Sequence, residues 1–249
     1  MRGPGEGGRA LAARLEAIEA RITAACDRAG RKREEVTLVA VSKTFPAEVV
    51  RAAHALGLRD FGENYAQELR DKARALSDLE DLRWHFVGPV QSNKARYLVG
   101  TAERIHALDS EGAAEALSAR ALRTGAAPLA VLLAVNLGRE PQKRGLAPEA
   151  VPAFAQRVAR LPGLTLTGLM TLPPKASDPE ASRPYFRALR QLRDRLVQLP
   201  GLGPLTELSM GMSSDFEVAI EEGATHLRVG TALFGARPVK GAGEAAPSS

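Results

Sequence analysis

The 249-residue sequence has a single cysteine, Cys26, so no intrachain disulfide is available to it. A lone cysteine fits a reducing compartment. No apolar run approaches the roughly 18 residues of a membrane span. The start, Met1 to Gly8, lacks the apolar stretch of a secretory signal. These absences point to a cytoplasmic protein with no membrane attachment. The GxSxG elbow, the P-loop and HExxH are also missing, which removes the common hydrolase, P-loop nucleotide-binding and metalloprotease signatures. The four histidines, His54, His85, His106 and His226, show no metal-ligand spacing with carboxylates or Cys26, so no metal is expected. Lysine is scarce as well. Only 7 of the 34 basic residues are lysine, and the arginines are scattered among acids despite a net charge of +5. The densest basic run, Arg28 to Arg33, is answered at once by Glu34 and Glu35. A nucleic-acid binder clusters its charge on one face, so this pattern reads as solvated surface.

What is present is ordinary globular composition, 45% hydrophobic and 25% charged. Leu11, Leu15, Ile18, Ile22 and Cys26 form one stripe of a leading helix over about 9–29, closed by Gly30. Then short β-rich runs begin: Val36–Val41, Leu58–Phe61, Leu82–Val87, Arg104–Leu108, Leu129–Val135, Leu164–Met170, Leu205–Ser209 and His226–Val229. Segments of helical periodicity follow the first seven: Pro46–Leu56, Tyr65–Leu76, Asn93–Val99, Glu111–Arg123, Pro148–Leu161, Pro179–Leu199 and Asp215–Glu222. Eight strand–helix units in roughly 200 residues predict an α/β fold, a single-domain (β/α)8 barrel of the TIM type with an extra N-terminal helix. Several strands are apolar in both parities, as in Val131 to Val135, which means burial on both faces. This favours the closed barrel over a doubly wound open sheet, though the pattern is compatible with both. The domain is expected over 9–237, with Gly/Pro/Ser-rich flexible tails at 1–8 and 238–249.

Active sites of such barrels sit at the C-terminal ends of the strands, and polar residues collect there. The first strand ends in Ser42-Lys43-Thr44 and the second in Gly62-Glu63-Asn64-Tyr65. The third carries His85, the fourth ends in Asp109-Ser110, the fifth in Asn136 and the sixth in Thr171. The seventh runs into Ser209 to Asp215, and the eighth ends in Arg228-Val229-Gly230-Thr231. Counting by twos sets Lys43 with Val41 and Val39. If these face inward, the ammonium is partly desolvated and its amine is available for a Schiff base with an aldehyde. A lysine snorkelling into water is the competing reading. Ser213 or Ser214 can cap a helix beginning near Asp215. Gly230 allows close backbone approach, and Thr231 and Arg228 add a hydroxyl and a charge, together a phosphate cradle. An amine facing a phosphate cradle selects a phosphorylated aldehyde, either pyridoxal 5′-phosphate or a sugar phosphate of aldolase type. Lys143, after the fifth strand, reads as a loop lysine or as a second amine. His85 beside Trp84 reads as a core histidine or as a base.

Five segments in order carry a family resemblance: Leu38–Thr44; Phe61–Tyr65; Trp84–Gly88 with Gln91–Lys94; Leu208–Ser213; and Arg228–Thr231 with Phe234-Gly235. They span nearly the whole folded region. The sequence resembles the pyridoxal phosphate homeostasis proteins, the YggS/PROSC-type relatives of the alanine racemase N-terminal barrel. Pro89 and Val90 depart from the larger apolar residues common there, away from any cofactor position. The resemblance implies that Lys43 is the Schiff-base lysine, that Ser213, Arg228, Gly230 and Thr231 contact the phosphate, and that Asn64 and His85 lie near the cofactor. It implies a non-catalytic, monomeric protein that buffers, carries or delivers pyridoxal 5′-phosphate, with apo enzymes of that cofactor as recipients. An amino-acid racemase or lyase, with weak racemase-like activity as its remnant, and a sugar-phosphate aldolase are the alternatives. Against a racemase stands the expectation that no β domain follows the eighth strand. Tyr65, Tyr97 and Tyr185 all lie within the barrel region, so no second domain supplies a tyrosine.

Overall fold

The computed structural model describes residues 6–236, so the segment 238–249 and most of the 1–8 tail lie outside the described residues. Helix α1 (Glu6–Arg28) comes first. It begins three residues before the expected start because glycine weakens a helix by only about 1 kcal/mol against alanine, so Gly7 and Gly8 are carried into it. Strands and helices then alternate: β1 (Thr37–Val41), α2 (Ala47–Ala55), β2 (Asp60–Glu63), α3 (Ala66–Ala75), β3 (Arg83–Phe86), α4 (Ala95–Leu98), β4 (Arg104–Leu108), α5 (Glu111–Thr124) and β5 (Leu129–Val135). After them come α6 (Val151–Ala159), β6 (Leu164–Thr171), α7 (Arg183–Leu196), β7 (Glu207–Ser209), α8 (Phe216–Glu221), β8 (His226–Val229) and a short α9 (Thr231–Phe234).

All pairings are parallel and the sheet closes: β1 pairs with β2 on one side and with β8 on the other. The open-sheet alternative is thereby excluded. The large apolar cluster lies between strands and helices, with Ile22, Val50, Leu69, Leu98, Leu117, Val158, Phe186 and Ile220 fully buried. The predicted α1 stripe is part of it, with Leu15 partly buried at its edge. Arginines of α1 fix the helix across the β7 and β8 ends: Arg14 Nε donates to the Leu233 carbonyl (2.7 Å) and Arg21 Nε to Glu217 Oε1 (2.7 Å). Arg31, just after α1, donates from Nη1 to the Ile220 and Ala224 carbonyls.

The barrel interior is divided. In-register partners of a parallel pair share a face, and Val39 pairs with Arg228 while Gly62 pairs with His85. On the β2–β4 and β7–β8 side the interior is polar. His106 of β4 reaches across to Ser209 of β7, which only inward side chains can do. On the β5–β6 side it is a small apolar cluster of Ala107, Leu132, Ala134 and Met170. A register shift between Ile105 and Leu108 lets the neighbours His106 and Ala107 both serve the interior.

Candidate functional site

At the C-terminal mouth of the barrel lies a cleft of about 450 Å³. Lys43, Asn64, Ser213, Arg228, Gly230 and Thr231 all line it, together with Val41, Phe45, Val87, Leu172, Lys175, Met212 and Ser214. Six of the seven residues expected at the site are therefore brought to one place. The seventh, His85, is not. It points inward, but two residues below Val87, which takes the position at the mouth. His85 is wholly buried, with Nε2 2.9 Å from Asp60 Oδ1 and Nδ1 2.9 Å from His106 Nε2.

Lys43 owes its position to the backbone on either side of it. The Ser42 N–H donates to the Gly62 carbonyl at 3.0 Å, and the Phe45 N–H to the Ser42 carbonyl at 3.1 Å. Thr44 takes the left-handed region at φ 70°, a cost of the order of 1–2 kcal/mol for a β-branched residue. Its N–H is held by Glu68 Oε1 at 2.7 Å. Behind the turn is a buried cluster. Lys72 Nζ donates to the Ser42 carbonyl (2.8 Å), Glu63 Oε1 (2.6 Å) and Glu68 Oε1 (2.7 Å), while Ser42 Oγ donates to Glu63 Oε1 (2.6 Å). Burial, opposed by Lys72 and by the Ser42 hydroxyl, pushes the Glu63 carboxyl up to about 7. Its second oxygen, Oε2, is buried with no hydrogen-bond partner. Sequence reasoning singled out none of this cluster for a role. One signal was available: Lys72 sits between Leu69 and Leu76 in the apolar stripe of α3, where a solvated lysine does not belong.

The β7 and β8 ends are joined directly. Ser213 Oγ accepts from the Ala232 N–H of α9 at 3.3 Å. The expected cap is thus corrected: Asp215, not Ser213 or Ser214, starts α8. Its two carboxylate oxygens accept from the Met212 N–H (2.7 Å) and from Ser182 Oγ (2.8 Å), which closes the loop on itself. Gly230 sits where a Cβ would lie 3.2 Å from the Val41 carbonyl oxygen, so the β8 end runs tight against β1 beside Lys43. Below them Arg228 is fully inside. Nη1 donates to Ser209 Oγ at 2.5 Å and Nη2 to the Thr171 carbonyl at 2.9 Å. Burial pushes its pKa down to about 10, partly offset by Asp215, which leaves it charged at neutral pH.

A second cavity of about 230 Å³ adjoins the cleft across Asn64, Val87 and Leu172. Its floor is the apolar side of the interior, Ala107, Ala134 and Met170, and its rim holds Asp109, Asn136, Lys143 and Arg144. Arg144 grips Asp109 with two bonds, 2.9 and 2.8 Å. Lys143 is half-buried, donating to the Pro173 carbonyl at 2.8 Å and pairing with Glu140 at 2.5 Å. The rings of His85, His106 and His226 meet edge-on or tilted below both cavities, their centroids 5.1 to 6.0 Å apart and their planes 54° to 84° from one another. Among the described residues no group of three His, Cys, Asp or Glu is placed to hold a metal ion. No described helix is long and apolar enough to cross a membrane.

The described cleft fits a phosphorylated aldehyde on its own donor set: the Lys43 amine, the Ser213 and Thr231 hydroxyls, the Arg228 guanidinium, and a glycine that leaves room for backbone approach. Comparison with known proteins agrees in fold and family. The family model of the alanine racemase N-terminal domain matches residues 13–238. A pyridoxal phosphate homeostasis protein from Pseudomonas aeruginosa is 49% identical over 227 residues, 91% of this chain and 96% of that protein. One from Aquifex aeolicus (strain VF5) is 47% identical over 224 residues, 90% and 97% of the two chains. The structure of PipY of Synechococcus elongatus PCC7942 with PLP bound is 39% identical, with a TM-score of 0.80 over 90% of this chain and 100% of that one. An alanine racemase from Clostridium difficile 630 shares the fold, with a TM-score of 0.69 at 14% identity over 92% of this chain and 57% of the racemase chain. A closed eight-stranded parallel barrel, a family model matching almost its whole length, and relatives at nearly half identity together place the chain in the YggS/PROSC-type family of pyridoxal phosphate homeostasis proteins.

Proposed function

We propose that this protein binds pyridoxal 5′-phosphate in the cleft at the barrel mouth, holds it as a Schiff base on Lys43, and buffers or delivers it without turning over a substrate of its own. The observation that carries this reading is the convergence of Lys43 with the Ser213, Gly230 and Thr231 ends of β7 and β8 in one cleft. Relatives whose names state pyridoxal phosphate homeostasis, and one solved with the cofactor bound, support it.

The bound cofactor would supply an aldehyde and an electron-accepting ring; the chain supplies the rest. Lys43 presents its amine from a turn pinned on both sides, so the nucleophile is oriented before the aldehyde arrives. Ser213 and Thr231 offer hydroxyl donors to the phosphate, and Arg228 keeps a positive charge at the floor. Asn64 lines the wall shared with the second cavity. The cytoplasmic location, the monomeric state and apo cofactor enzymes as recipients belong to the same proposal, the first supported by the lone, buried Cys26.

Purified protein given pyridoxal 5′-phosphate is expected to absorb in the visible, and borohydride is expected to fix one cofactor per chain onto the peptide containing Lys43. Lys43→Ala is expected to abolish the trapped adduct. A protein that stays colourless with excess cofactor refutes the proposal. Steady turnover of an amino acid, lost in Lys43→Ala, would replace it with the racemase or lyase reading, and trapping of a sugar phosphate instead would support the aldolase reading.

A further inference from the structure

Along the barrel axis runs a line of hydrogen bonds below the cofactor cleft. Its direction is settled by which atoms are able to donate. A guanidinium only donates, so Ser209 Oγ must accept from Arg228 Nη1 at 2.5 Å. A hydroxyl has one donor and two acceptor positions, so the order comes from the far end: Asp60 only accepts, and with both imidazoles neutral the Ser209 proton goes to His106 Nδ1, 2.7 Å away. With Nδ1 accepting, a neutral His106 carries its proton on Nε2, which faces His85 Nδ1 at 2.9 Å. His85 therefore accepts at Nδ1 and carries its own proton on Nε2, 2.9 Å from Asp60 Oδ1. Asp60 is an acceptor only, and Arg83 donates to both of its oxygens from the opposite rim, Nε to Oδ1 at 2.9 Å and Nη2 to Oδ2 at 2.6 Å. Flipping either neutral ring sets two donors or two acceptors face to face in a site with no water access. His85, His106, Ser209 and Arg228 are all buried, and Asp60 nearly so.

We propose that Asp60, His85, His106 and Ser209 are positioning residues: a one-way relay of hydrogen bonds, charged at both ends, that fixes the tautomers of both imidazoles and holds the Arg228 guanidinium in one orientation beneath the cleft. The relay rests on the reading that the cleft holds pyridoxal 5′-phosphate only for its consequence, not for its geometry. A carboxylate at one end and a guanidinium at the other polarise the neutral groups between them in the same sense. The Thr171 carbonyl, taking Nη2 at 2.9 Å, sets the second edge of the fork. Arg228 therefore meets a ligand with both of its constrained nitrogens already committed, and its freedom to follow a moving ligand is lost.

Two measurements test this. Long-range proton–nitrogen NMR of uniformly labelled, cofactor-free protein reads the imidazole tautomers directly. Both His85 and His106 are expected as neutral rings protonated on Nε2; a doubly protonated His85 or a His106 protonated on Nδ1 overturns the relay. The second measurement is affinity for pyridoxal 5′-phosphate. Ser209→Ala removes the acceptor of Arg228, and Asp60→Asn removes the charge at the far end. Each is expected to weaken binding by roughly tenfold, the scale of one buried charge-assisted hydrogen bond. Arg83→Gln takes the same carboxylate's outer partner without breaking the line, so it is expected to lower the melting temperature and leave affinity near wild type. Equal affinity loss in all three, or none in Ser209→Ala, assigns the cluster a merely structural role. Should Asp60→Asn not fold, Ser209→Ala still decides. If wild-type protein takes up no cofactor, the functional reading fails while the tautomers still judge the relay.

Discussion

Replacing Lys72 with methionine tests whether the buried cluster behind the Lys43 turn is structural support or filler. The methionine occupies similar volume but removes three hydrogen bonds, to the Ser42 carbonyl, Glu63 and Glu68. Glu63 has no exposed surface, and with Lys72 gone Ser42 Oγ is its remaining hydrogen-bond donor here. Breaking a buried pair by deleting one partner costs about 3–5 kcal/mol, which for a chain of this length is a fall in melting temperature on the order of 10 °C. The loss has a pH signature. Deleting the ammonium raises the Glu63 carboxyl beyond about 7, where burial already sets it. Its folded form then binds a proton more tightly than its unfolded form, so the stability this proton provides is present at low pH and lost as pH rises. Urea unfolding at pH 5.5 and 8 is expected to show a smaller deficit at the acid pH. Glu63→Gln added to Lys72→Met removes the uncompensated charge and is expected to regain about half of the deficit. Amide exchange at Thr44 reports the other consequence, since its N–H bond to Glu68 loses its brace and the left-handed residue is free to relax. A deficit below about 1 kcal/mol, identical at both pH values, would refute the reasoning, because a buried pair that matters cannot be removed that cheaply.

Acid stability offers a second test. Burial and neighbouring positive charge hold His226 down to about 3 and His106 well below its usual value. Both gain protons on unfolding between pH 6.5 and 4.5, while Glu63 releases one. The net uptake of about one proton makes stability fall by about 1.4 kcal/mol per unit as pH drops through that window, and unfolding in which stability is flat or rises there would contradict it. Gly88→Ala places a Cβ 2.1 Å from the Asn64 carbonyl oxygen. The end of β2 must move, and cofactor affinity, followed by fluorescence titration, is expected to fall several-fold, of the order of a 1 kcal/mol misplacement; unchanged affinity would mean that the position of Asn64 is immaterial.

The architecture was legible because each strand announced itself twice, by an apolar run and by a polar terminus. Arg104–Leu108, Leu129–Val135 and His226–Val229 keep the boundaries read from sequence. The strands that moved by two residues, Leu58–Phe61 and Leu205–Ser209, are those whose apolar run extends back into the preceding loop. There Leu58 and Leu205 are buried without pairing in the sheet. The cleft was legible for the same reason the barrel was: Lys43, Asn64 and Gly230 stand just past strand ends. What stayed hidden depends on contacts far apart in the chain. His106 meets Ser209 across 103 positions and Arg228 meets Thr171 across 57, and neither separation leaves a local pattern. His85, which the resemblance sets near the cofactor, lies buried below the lining of the cleft, because a strand's pattern gives the face of a residue but not its depth along the barrel axis.

The division of the barrel interior has a consequence for anything that enters the mouth. Beneath the Lys43 cleft the floor is ionic, ending in Arg228; beneath the adjoining cavity it is Ala107, Ala134 and Met170. A single entrant spanning both is sorted like an amphiphile at an oil–water boundary, its charged end drawn toward β8 and its greasy end toward β5. Because the boundary is drawn by which strand supplies which side chain, it turns only if floor residues on several strands change together. The direction in which a guest lies is therefore inherited with the scaffold, before any single contact at the rim is chosen.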